Sequence, residues 1–182
     1  MSRVSDFIIK DHRELEEYYH NILNSKTDDE KTRWQNQFTW ELARHSVGEE
    51  IVVYPVMEKV LSDGKALTDK DRKEHQVVKE ELFKFQKMEA SDPEFEPTLR
   101  ELWSNLIQHM REEEEIDLVK LEHALSAEES ADLGKSFHRT KKFVPTRSHP
   151  SAPDQPPFET VVGLLTAPID KLRDVFTRFP IK

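Results

Sequence analysis

Cysteine is absent from the 182-residue chain, which excludes disulfides, Cys-ligated zinc, iron–sulfur clusters and thiol catalysis together. Any metal must therefore sit on histidine and carboxylate. Glycine is scarce, at 4 residues, and no phosphate loop, nucleophile elbow or dinucleotide fingerprint is present. No apolar run approaches the roughly 20 residues that a membrane span needs, and Met1–Lys10 lacks the basic-then-apolar layout of a signal peptide, so a soluble cytoplasmic protein is expected. Positive charge is in deficit. With 27 Lys and Arg against 36 Asp and Glu, the formal net charge is −9, which argues against nucleic acid or anionic lipid as partners and favours cations.

What is present is charge-rich and helix-forming: 35% of residues are charged and 36% hydrophobic, too polar for a large β-sandwich and too apolar for disorder. Four segments carry apolar residues at helical spacing. The first runs from about Val4 to Asn24, with Ile8, Leu15, Tyr19 and Ile22 on one face. The second runs from near Asp29 to about Leu61 with Trp34, Phe38, Leu42, Val52 and Val56 in register, and Pro55 is expected to kink it or end it early. The third follows Ser62-Asp63-Gly64 with a cap at Thr68, carries Val78, Leu82 and Phe85, and stops before Ser91. The fourth runs from near Glu94 to about Leu125, with Leu99, Leu102, Leu106, Ile116 and Val119 inward. This pattern predicts an all-α, up-down-up-down four-helix bundle over residues 1–125.

Residues 126–182 read as an extension packed on that bundle. Ala127 to Lys142 predicts a helix, and Pro145 to Pro157 an extended proline-rich stretch. Phe158 to Phe179 predicts a further helical pattern interrupted at Pro168. Its apolar residues Phe158, Val161, Val162, Leu164, Leu165, Ile169, Leu172 and Phe176 call for a covering surface, either the bundle itself or a second subunit in a homodimer.

Of eight histidines, His12, His45, His75 and His109 fall one per predicted helix on its apolar stripe, so all four rings are expected to point inward. A lone inward histidine is usually a hydrogen-bonded core residue; four together are informative. Carboxylates follow at i+4 from three of them: Glu16 after His12, Glu49 after His45 in HSVGE, and Glu113 after His109 in HMREE. Such a pair projects from one face about 6 Å apart along the axis and can grip one cation or two neighbouring ones. Burying Glu49 and Glu113 without a counter-charge would cost several kcal/mol, and a bound dication removes that penalty. Glu16, followed by Glu17 on a polar flank, is expected in solvent. Ligands from four helices should share one cross-section. The join between the second and third helices fits this least well, because only about seven residues precede His75 in its helix.

The ordered combination of His12 within DHRELEEYYH, His45–Glu49, His75 and His109–Glu113 resembles the hemerythrin-like HHE cation-binding family over about residues 1–125. The segment KFVPTRSHPSAP onward looks like the tail of larger fungal members. The resemblance implies a non-haem di-iron centre, with Glu49 and Glu113 as bridges and His12, His45, His75 and His109 as terminal ligands. Manganese or zinc would also suit this ligand set. Oxygen-carrying members place a second histidine where this chain has Lys79, and an Asp where it has Glu114, with Glu113 one step nearer. Glu16, Glu50 or water is left to complete the shell. Three functions follow as expectations: an iron-binding protein for sensing, binding or storage with O2, NO or peroxide as small ligands; a di-iron oxidoreductase acting on peroxide or O2; or a metal-free helical interaction module.

Overall fold

The computed structural model describes residues 2–153 and 158–181, with side chains for all of these except residues 158–165. Among the described residues every regular element is helical. Helix α1 (Val4–Asn24) leads through a three-residue link into α2 (Asp28–Gly48). There Thr27 Oγ1 accepts from the Glu30 amide at 3.2 Å, and Asp28, Asp29 and Glu30 complement the helix N-terminus. A π turn at Glu49–Val53 joins α2 to α3 (Tyr54–Val60) as one rod. Next come α4 (Gly64–Phe85) and α5 (Phe95–Glu112), and a second π turn at Glu113–Asp117 continues α5 into α6 (Leu118–Ala124). Helix α1 packs on α2, α3 on α4, and α4 on α5, a helical bundle as the apolar pattern predicts.

Each π turn starts on the glutamate of an HxxxE pair. The extra residue rotates everything that follows by about 100° relative to a 3.6-residue pattern. Val53 and Met57, not Val52 and Val56, therefore enter the core after the first turn. After the second, Ile116 and Val119 are 46% and 45% exposed, while Asp117, Leu118 and Leu121 turn inward. Pro55 does not bring an early end to the rod, which continues to Val60. It falls in the first turn of α3, directly after the π turn, where the ladder is already interrupted and a missing N–H costs little.

Helix α4 begins at Gly64 instead of Thr68, which sits inside the helix and donates its hydroxyl across to Glu58 of α3 at 2.7 Å. A Cβ at Gly64 would lie 2.1 Å from the Met57 carbonyl oxygen, so only glycine allows so tight a reversal between α3 and α4. The early start also resolves the level of His75. Glu49 lies eleven residues before Val60, the end of its rod, and His75 eleven after Gly64, so His75 is level with Glu49 and not with His45.

Two apolar clusters flank the histidines. Leu15, Tyr19, Phe38, Leu82 and Leu106 belong to one; Val4, Ile8, Val53, Tyr54, Leu121 and Phe137 belong to the other. Beyond α6, Ser126 and Glu129 form a reciprocal cap that starts α7 (Ala127–Thr140), which packs on α1, α2 and the first π turn. Residues 141–153 run without a helix, and α8 (Phe158–Asp174) continues through Pro168. Asp170 anchors this end by accepting from the Thr146 and Arg147 amides, both at 3.2 Å. Arg33 and Asn36 of α2 donate to the carbonyls of Phe179 and Arg178. Ile169, Leu172 and Phe176 are exposed, while Ala167 is buried and the Phe179 ring meets Trp40 edge-on. The expected stretch 154–157 and the side chains of Phe158, Val161, Val162, Leu164 and Leu165 lie outside the described residues.

Candidate metal centre

All four striped histidines are buried between the two apolar clusters, and they meet in two pairs. His12 and His45 face each other through their Nε2 atoms at 3.2 Å, and His75 and His109 do the same at 3.0 Å. Glu49 lies between the pairs, with Oε1 3.2 Å from His45 Nε2 and Oε2 3.5 Å from His75 Nε2. Glu113 Oε2 lies 3.3 Å from His12 Nε2. One oxygen or nitrogen from each of His12, His45, Glu49 and Glu113 falls within 4.8 Å of the others, and the same holds for Glu49, His75 and His109. Glu49 is common to both groups. Glu16 is turned outward, 3.3 Å from Arg13, and His20, His123 and His138 are exposed.

The outward-facing nitrogens follow one rule. His12 Nδ1 lies 2.8 Å from Glu114, whose other oxygen binds Arg13. His45 Nδ1 lies 3.2 Å from Asp11, which binds Lys141. His75 Nδ1 lies 2.9 Å from Glu50, which binds Lys79, and His109 Nδ1 lies 2.8 Å from Glu74, which lies 3.0 Å from Lys70. A salt-bridged carboxylate only accepts, so every Nδ1 is the donor and every Nε2 presents its lone pair inward. Two lone pairs 3.0 to 3.2 Å apart repel unless a proton or a cation lies between them.

The proton affinities within each pair diverge accordingly. Burial pushes His12 and His109 down, but Glu113 and Glu114 beside the first and Glu74 beside the second outweigh it and raise both. Burial holds His75 below the usual imidazole range, and burial with the His12 charge holds His45 well below it. Burial and the adjacent Glu113 charge raise Glu49 well above a normal carboxyl, whereas His12 pulls Glu113 down against its own burial. Glu49 is 0% exposed, yet neither of its oxygens has a hydrogen-bond partner, nor has Glu113 Oε2. These buried acceptors beside four inward lone pairs are the donor set that imidazole- and carboxylate-binding metals such as iron, manganese and zinc require.

Several residues here escaped sequence reasoning. Tyr54 is fully buried, with its hydroxyl 3.1 Å from His75 Nε2; the π turn that shifts the register by one residue brings it there. Asp71 and Asp117 are also buried, each with an oxygen lacking a partner. The one available signal was that Asp71 precedes His75 by four residues, an HxxxE spacing in reverse. Glu50 and Lys79 were visible as neighbours of the site, but they pair with each other and orient His75 from outside.

Residues 3–121 match the hemerythrin HHE cation binding domain. The chain is 60% identical over 181 residues to a hemerythrin-like protein of Schizosaccharomyces pombe, covering 99% of this chain and 89% of that one. A DNA nickase of a Nostoc species is 24% identical over 144 residues, and that match spans 40% of the nickase. A crystal structure of a hemerythrin HHE cation binding domain-containing protein from Mycobacterium kansasii superposes with a TM-score of 0.65 at 20% identity, covering 78% of this chain and 86% of that one. The chain belongs to the hemerythrin HHE cation-binding family and is a metal-binding helical protein.

Proposed function

We propose that the protein holds two iron ions, one between His12, His45, Glu49 and Glu113 and one between Glu49, His75 and His109. In this reading it serves to bind, sense or store iron and its small ligands rather than to turn over an organic substrate. The observation that carries the reading is the pair of facing Nε2 atoms on either side of a buried, unpartnered Glu49. Iron held there would supply reversible binding of O2, NO or peroxide. The chain's own part is to fix four imidazole tautomers through Asp11, Glu50, Glu74 and Glu114, to share Glu49 between the two positions and offer Glu113 to the first, and to exclude bulk water with two apolar clusters. The second group contains one residue fewer than the first, and Tyr54, with its hydroxyl on His75, stands beside it.

Titration of metal-free protein with ferrous iron under anaerobic conditions tests this. About two equivalents should bind tightly, release protons as the shared imidazole protons are displaced, and raise the thermal midpoint. A His45→Ala, His109→Ala double variant, which takes one ring from each pair, should show neither the binding nor the thermal shift. Stoichiometric uptake without peroxide turnover supports a binding protein; sustained turnover moves the assignment to the oxidoreductase. Equal and negligible uptake by wild type and double variant favours the metal-free module.

A further inference from the structure

Helix α7 lies beyond residues 3–121, which match the family domain, yet it covers one half of the centre. Phe137 is buried and packs edge-on to the His45 ring, with centroids 6.1 Å apart. The approach is close because residue 48 is glycine: a Cβ there would lie 2.9 Å from the Phe137 ring and 3.2 Å from Lys141 Cγ. One turn on, Lys141 is 6% exposed, and its ammonium bonds both Asp11 and Glu41. Asp11, Glu14 and Glu41 bring oxygens within 4.8 Å of one another, the kind of acidic cluster that attracts a cation. The Lys141 ammonium supplies that cation from within the chain.

Of the four cations behind the histidines, Arg13, Lys70 and Lys79 belong to helices of the family domain. Lys141 alone of these four comes from outside it. Asp11 bonds His45 Nδ1 with the same Oδ2 that receives Lys141. Without the ammonium, Asp11 would lie beside the buried Glu41 with no cation of its own, since Arg44 bonds Glu41 alone of the two. Asp11 would then turn toward solvent, and His45 would lose the acceptor that fixes its Nε2 inward.

We propose that Lys141 is a positioning residue for one metal position only. Through Asp11 it orients His45 and so sets the affinity of the His12–His45 position, leaving His75–His109 unaffected. This rests on the metal-binding reading above and adds that the C-terminal extension controls half of the centre. A purely structural role would weaken both positions together.

The test is iron titration of the full-length chain, with metal-free folding checked by circular dichroism. Lys141→Met keeps the stem against Gly48 and removes the charge. It should retain one tight iron and weaken the other by about 10- to 100-fold. Asp11→Asn is a second route to the same selective loss should Lys141→Met fail to fold. Glu41→Gln, which leaves the Lys141–Asp11–His45 line intact, should keep both irons within about threefold of wild type. Two unchanged irons in Lys141→Met and Asp11→Asn, or equal loss of both, overturns the role of Lys141 while the two-iron reading stands. A wild-type chain that takes up no iron overturns both.

Discussion

Replacing Glu49 by glutamine should stabilise the metal-free protein by about 1–3 kcal/mol and abolish tight iron binding at both positions. The two effects have opposite signs because one carboxylate serves two states. Glu49 is 0% exposed, has no hydrogen-bond donor on either oxygen, and lies beside a second acid, Glu113. Such a group must either be protonated against solvent or remain as an uncompensated charge, and an amide of the same shape avoids both. Once iron is present, the same side chain is the element common to both ligand groups, and a neutral amide cannot bridge two dications. Chemical denaturation in chelator and in excess iron reads both signs. A Glu49→Gln variant that is less stable than wild type in chelator would mean that the carboxylate has a protein partner and no need of a cation.

The second large effect is pH-dependent and resides in Asp71. Burial, and then the Asp117 charge, push the Asp71 carboxyl up to about 7, and burial with the Glu113 charge pushes Asp117 up to about 6. A carboxyl with a raised folded pKa binds more protons in the native state than in the unfolded one. Its contribution is therefore intact below about pH 4 and is lost as pH rises toward 7. A rise from 3.8 to about 7, at about 1.36 kcal/mol per unit, sets an upper bound near 4 kcal/mol. Asp71→Asn removes that dependence. Measured by urea denaturation in chelator, its advantage over wild type should be small at about pH 4 and grow by about 2–4 kcal/mol at about pH 8. An advantage that is flat or shrinks with pH contradicts the assignment.

The histidine stripe was legible because helical periodicity survives as far as each HxxxE pair: Ile8 to Ile22, Phe38 to Leu42 and Leu99 to Leu106 all lie inside as their spacing demands. Legibility ends at the two π turns. No residue type announces a π turn, and each one moves the inward face by a single position, which is why Val52, Val56, Ile116 and Val119 were placed inward on paper. The same shift hides Tyr54, since a 3.6-residue reading gives it no inward place. The carboxylates behind the imidazoles were hidden for another reason. Asp11 serves His45, Glu74 serves His109 and Glu114 serves His12. These are pairings between helices that spacing along one helix cannot show. At the tail, Asp170, Arg33 and Asn36 make polar attachments that hydropathy spacing does not announce.

The central claim is that the facing imidazoles and the unpartnered carboxylates leave room for cations between them. Anomalous diffraction at the iron edge from crystals of the iron-loaded protein tests it most directly. Two peaks per chain are expected, on either side of the Glu49 carboxylate, one within coordination distance of His12 and His45 and the other of His75 and His109. A map without peaks there, or with iron held only by exposed acids, would contradict the account.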